Sequence, residues 1–221
     1  MLIDKNTVSA KNQIKNSSKV FYLGNPNAKT KILIVGNSIT RHGPKEEIGW
    51  FGDWGMSASA LEKDYVHRLY AMLSENGYDV YLRISQATEW ERNFLKDDVL
   101  SNYDEDREFD ADVLIFRLGE NVLSEDRPHI KEPLNKFVNH ICPNGKVIFT
   151  TCFWRNAEVD NAITAVAQER GDALVDCCFS KDKKNMALGQ FEHYGVSIHP
   201  SDPGMEEIAK ALFNQLKVSL Y

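Results

Sequence analysis

Three polar residues, far apart in the chain, have the side chains needed to move an acyl group. Ser38 follows an apolar run, Ile32 to Val35, that closes at Gly36. Asn121 follows a second such run, Val113 to Phe116, after Arg117-Leu-Gly-Glu120. His199 precedes Pro200, just ahead of the last helical pattern. A serine hydroxyl attacks a carbonyl once a base takes its proton, and imidazole is the usual base near neutral pH. A carboxamide donates to the developing oxyanion without bringing charge. Each residue also has a plain structural reading: Ser38 as the N-cap of a short helix, Asn121 as a turn residue, His199 as a helix flank. Together they favour a nucleophile, an oxyanion donor and a base.

The elements that must position them follow from periodicity. Residues 31–35, 78–84, 113–116, 146–152 and 173–176 read as strands, most of them apolar and β-branched enough to be buried on both faces. Between them lie helical patterns at 59–76, 88–100, 132–141, 157–170 and 203–216. Ser59-Ala-Leu-Glu62 has the form of a capping box, and Asp202 with Pro203 suits the start of the last helix. Strand and helix alternate, which predicts a parallel sheet of five strands with helices on both faces. In such a sheet, ligands bind outside the carboxyl ends of the strands, where Ser38 and Asn121 stand. Residues 1–28 read as a polar lead-in, with 20–23 as an edge strand or a core patch. The acidic stretch 97–112 reads as a solvated loop. The whole of 1–221 is expected to be one domain.

Bulk properties exclude several roles. A net charge of -6 and a pI near 5.6 argue against sequence-independent nucleic-acid binding. No apolar stretch is long enough for a membrane span or a signal peptide, so the expectation is a cytoplasmic protein with no membrane partner. The cysteines, at 142, 152, 177 and 178, form no CxxC pair and fit no zinc site. They read as reduced thiols, with Cys152 near a strand end as a minor candidate nucleophile. No metal or organic cofactor is expected.

These residues resemble a known family. Gly36-Asn-Ser-Ile-Thr40 is similar to the first block of the SGNH/GDSL hydrolases, Gly119-Glu-Asn121 to their GxND block, and His199-Pro-Ser-Asp202 to the block that closes with DxxHP. The blocks fall in the right order from residue 31 to the last helix. The resemblance implies a three-layer α/β/α, flavodoxin-like fold and hydrolysis of esters, often of small acyl groups on carbohydrates or lipids. It implies Ser38 as nucleophile and His199 as base. It also implies the backbone N–H of Ser38 and the side-chain amide of Asn121 as oxyanion donors. Gln86 stands where the family has a glycine whose N–H also faces the oxyanion. The family's acid, three residues before the histidine, is replaced by Val196. Glu192 or Glu120 then orients His199, or a backbone carbonyl does so and leaves a Ser–His dyad.

Substrate contacts are expected from the long loop 41–56. Its Trp50, Asp53 and Trp54 form either a wall for a sugar ring or a hydrophobic cluster holding the loop down. Arg117 and Glu120 either pair with each other or bind a polar substrate group. The function expected is a serine esterase acting on a small-molecule or carbohydrate ester, the acyl group being acetyl. The alternative is a non-catalytic protein that binds a glycan or acyl ligand on the same fold.

Overall fold

The computed structural model describes residues 19–220. Its centre is one mixed sheet in the order β1-β3-β2-β4-β5-β6. The strands are β1 (Val20–Gly24), β2 (Thr30–Gly36), β3 (Val80–Gln86), β4 (Val113–Arg117), β5 (Lys146–Thr150) and β6 (Ala173–Val175). The sheet therefore has six strands, not the five expected. The five expected strands are parallel, and β1 adds an antiparallel edge against β3, from Val20 opposite Ser85 to Gly24 opposite Tyr81. The expected lead-in at 1–28 thus lies outside the described residues as far as residue 18, and its end supplies a strand.

Strand β2 runs down the middle and divides its side chains between two layers. Ile32 and Ile34 enter the core under α1 (Tyr65–Glu75) and α7 (Asp202–Ser219). Leu33 and Val35 enter the core under α2 (Thr88–Asn93), α4 (Lys131–Ile141) and α5 (Ala157–Arg170). All four are fully buried. That period of two, with no polar face, is why the run is continuously apolar. After β2 the chain crosses to β3 on one side, and β4 then takes the other side. The change of direction opens a crevice beyond the carboxyl ends of β2 and β4. No described helix is long and apolar enough to cross a membrane.

Local signals moved where tertiary contacts competed. Helix α1 starts at Tyr65, capped by Asp64, whose carboxylate accepts from the His67 N–H. Ser59 instead donates its N–H and hydroxyl to Asp202 at 2.8 and 2.6 Å. With Asp202 so engaged, Ser201 caps α7. The expected helix 88–100 ends at Asn93, and 97–112 holds a further short helix, α3 (Asp104–Glu108). Asp106 within it is buried and accepts from Arg83 and Ser85 of β3, so the stretch is anchored rather than merely solvated.

Candidate functional site

The turn after β2 is tight. Thr40 and Arg41 donate their N–H groups to the Asn37 carbonyl, and the Ile39 N–H donates to the Asn37 side chain at 3.2 Å. A Cβ on Gly36 would lie 1.7 Å from Thr40 Oγ1, so only glycine lets the chain wrap this closely. The turn lifts Ser38 out of the strand's line. Its Oγ lies 2.8 Å from His199 Nε2 and caps no helix. Its N–H meets no acceptor among the described residues.

His199 arrives from the other end of the chain. It follows α6 (Tyr194–Ser197), a single helical turn, and its own carbonyl is tied to the Ala187 N–H at 3.0 Å. Its Nδ1 lies 2.6 Å from the carbonyl oxygen of Gly195. A carbonyl only accepts, so Nδ1 carries the proton and Nε2 is the bare nitrogen facing Ser38. Burial pulls the pKa of His199 down to about 4, partly offset by the Gly195 hydrogen bond and deepened by nearby His42. The ring is thus neutral at pH 7, the state a general base needs. Trp154 packs edge-on against it, with ring centres 5.1 Å apart.

Glu192, expected as a possible acid, is exposed, and the Nδ1 position it would occupy belongs to Gly195. His199 is therefore oriented by a backbone dipole. Gln86 also departs from expectation. Its N–H donates to the Lys19 carbonyl at 3.0 Å, extending the β1–β3 ladder, and its side-chain amide donates to Thr88. An amide already bonded across the sheet edge has nothing to offer an oxyanion.

The loop after β4 brings Asn121 to the same crevice. Gly119 has φ of 138°, and a Cβ there would lie 2.7 Å from Cys152 Sγ. Beneath the loop lies Glu91, fully buried on α2, a residue that sequence reasoning missed. Its Oε1 accepts from the Gly119 N–H at 2.6 Å, the Asn121 N–H at 3.3 Å and Asn37 Nδ2 at 3.1 Å. Its Oε2 accepts from Asn121 Nδ2 at 2.7 Å. Asn37 Nδ2 also donates to Glu120 Oε2 at 2.6 Å. One carboxylate therefore ties the turns after β2 and β4 together. Burial and the neighbouring charge of Glu120 push its pKa up, against the pull of its donors. The one signal in the sequence was position: α2 starts two residues past β3, so its first turn lies under the strand tips.

All five of the expected substrate contacts do other work. Arg117 is fully buried and its Nη1 lies 2.6 Å from Glu120 Oε1, an ion pair off the line of a directed hydrogen bond. Glu120 Oε1 also accepts from the Phe153 N–H at 2.8 Å, so its carboxylate is spent inside the protein. Trp50 and Trp54 are buried, packed edge to face at 5.8 Å, with their indole N–H groups donating to His42 and Ala58 carbonyls. They hold the loop down. Asp53 pairs with Arg41 through two contacts of 2.9 Å. The aromatic residue that does reach the site is Trp154, just past β5. Cys152 is fully buried and its thiol is pushed up by that burial, which removes it as a nucleophile. No cluster of potential metal ligands occurs among the described residues.

No protein-family model and no curated protein matches the chain. Solved structures do match it. Axe2, an acetylxylan esterase from Geobacillus stearothermophilus, superposes with a TM-score of 0.54 at 17% identity over 85% of this chain and 94% of that one. LAE5, an alpha/beta hydrolase enzyme from the metagenome of Lake Arreo, Spain, gives 0.57 at 20% identity with the same coverage, 85% and 94%. EstA, a psychrotrophic esterase from Pseudoalteromonas sp., gives 0.54 at 13% identity over 87% of this chain and 99% of that one. At these identities the likeness is one of fold: the three-layer α/β/α architecture is shared with esterases.

Proposed function

We propose that this chain is a serine ester hydrolase of the SGNH type, cleaving a small acyl ester, acetyl first among them, on a carbohydrate. The observation that carries the reading is the relay from Ser38 Oγ to His199 Nε2, and from Nδ1 to the Gly195 carbonyl, at 2.8 and 2.6 Å. Ser38 attacks the ester carbonyl as His199 takes its proton. The oxyanion is met by the free N–H of Ser38 and by the second hydrogen of Asn121 Nδ2, the first being held by Glu91. His199 then protonates the leaving alcohol. Water repeats the sequence on the acyl-enzyme and frees the acid. No step needs a cofactor.

Company on the fold supports the same reading. Axe2 is an acetylxylan esterase whose catalytic mutants are at a serine and a histidine, and EstA has been inhibited by monoethylphosphonate. The test is hydrolysis of 4-nitrophenyl acetate. Ser38→Ala should lower turnover by roughly 10³-fold or more, and a fluorophosphonate should label the wild type alone. If Ser38→Ala keeps wild-type turnover, the assignment is wrong. If the wild type neither turns over esters nor takes the label, the protein is a binding module, the reading favoured by a histidine that lacks a carboxylate partner.

A further inference from the structure

Beside the Ser38–His199 pair lies a cavity of about 430 Å³ lined by Glu120, Arg127, Trp154, Arg155, Asn156 and Glu158. Two of its walls belong to the site already described. Trp154 is the ring packed on His199, and Glu120 receives Asn37, the residue before the nucleophile. One residue, Trp154, therefore separates the cavity from His199.

The lining is rich in donors that nothing in the protein satisfies. The side chains of Arg127 and Arg155 form no ion pair and no hydrogen bond among the described residues, Glu125 and Asp176 acting on them only through their charge. Arg127 Nε and Trp154 Nε1 are buried without any acceptor. Buried N–H groups without partners are rare, because each costs the water it gave up. Both belong to residues that border this one cavity. The acceptors that are present are engaged or solvated. Glu120 is held by Arg117, Asn37 and the Phe153 N–H, and Glu158 is exposed. The cavity also opens on the first turn of α5, a helix of 14 residues with Asn156 as its N-cap, where the protein's own Glu158 and Asp160 already answer the dipole.

We propose that this cavity binds an anionic oxygen group, a carboxylate or a phosphate, carried by the alcohol half of the ester. The substrate class is thus an acylated acidic sugar rather than a neutral one. The proposal rests on the esterase reading and gives that site its specificity. Arg127 and Arg155 offer forked donors to two oxygens of the anion, Trp154 offers its ring face or N–H to the sugar, and Ser38 meets the ester on the same ring.

The experiment compares three acetylated substrates: a methyl glucuronide, glucose 6-phosphate and a neutral methyl glucoside. At low salt, kcat/KM for at least one of the two anionic esters should exceed the neutral one about tenfold, and the better of the two tells carboxylate from phosphate. The ratio should shrink at about 0.5 M sodium chloride. It should fall toward one in the double variant Arg127→Gln with Arg155→Gln, and part of the way in Arg155→Gln alone, an exposed position that the fold tolerates. Equal or better turnover of the neutral ester overturns the proposal, as does a preference that survives the double variant. If no ester, 4-nitrophenyl acetate included, is hydrolysed, the esterase reading is what has failed. Calorimetry with glucuronate and with glucose 6-phosphate then decides the cavity: arginine-dependent binding of either keeps it, and no binding of either overturns it.

Discussion

Replacing Glu91 by Gln should cripple turnover while leaving the protein folded. The carboxylate accepts four hydrogen bonds, three at Oε1 and one at Oε2. Glutamine keeps one acceptor oxygen and puts an NH₂ group in place of the other. The orientation that preserves three bonds keeps oxygen toward Gly119 and sets the NH₂ against Asn121 Nδ2, donor facing donor. The backbone of Gly119 is fixed by Cys152 behind it, so the Asn121 side chain is the part that moves. Losing one oxyanion donor costs roughly 10²–10³ in kcat, or about 3–4 kcal/mol of transition-state stabilisation. The orphaned amide costs about 1–3 kcal/mol of stability, offset by removal of a buried charge that sits against Glu120. The expected result is therefore kcat on 4-nitrophenyl acetate down about 100-fold, with KM and thermal midpoint nearly unchanged. A cycle with Asn121→Ala tests the route. If Glu91 acts through Asn121, the double variant loses no more than Asn121→Ala alone. Wild-type kcat in Glu91→Gln, or losses that multiply in the double variant, would refute the reasoning.

Two further outcomes follow from the same contacts. In Glu91→Gln, which removes the carboxyl whose pKa burial raises, residual kcat/KM should hold down through pH 5 and fall only near pH 4, because burial keeps His199 neutral to that point; an acid limb at 6.5 would mean the ring is solvated. Trp50→Ala should destabilise the fold by about 3–5 kcal/mol, since the ring is fully buried against Trp54 and Phe191, and a denaturation midpoint within error of wild type would return that residue to the substrate wall.

The parts legible from sequence are those whose signals are local. Residues 32–35 and 113–116 read as buried strands because burial on both faces leaves no room for a polar residue. Helix α5 runs over the expected 157–170, with Asn156 at its start and left-handed Gly171 at its end. What was not legible depends on partners distant in the chain. Strand β1 is short and half exposed, so its five residues carry no clear alternation and only pairing with β3 makes them a strand. Glu91 and Asp106 look like ordinary helix-surface acids. Their burial is decided by Asn121, Asn37, Arg83 and Ser85, 21 or more residues away in the chain. Trp50 and Trp54 had the composition of a sugar platform, and only the fold of their own loop turns them inward. Trp154 carried no periodic signal, yet the end of β5 delivers it to His199.

Position 196 holds valine, and the carboxylates of the crevice lie elsewhere. Two carboxylates, Glu91 and Glu120, lie under the donors of the two loops, while the histidine is left with the partial charge of one carbonyl. That arrangement has a cost for the base. A histidine drawn from 6.5 to about 4 holds its proton about 3 kcal/mol less tightly than in water, and the attack step makes an imidazolium there. A carboxylate at Val196 would have offset this. On the proposal above, an anion bound behind Trp154 adds to the negative charge that Glu120, in the same cavity wall, already directs at His199. On this account the substrate completes the site. It supplies part of the charge that serine hydrolases with a triad build into the chain, and a neutral ester meets a weaker base.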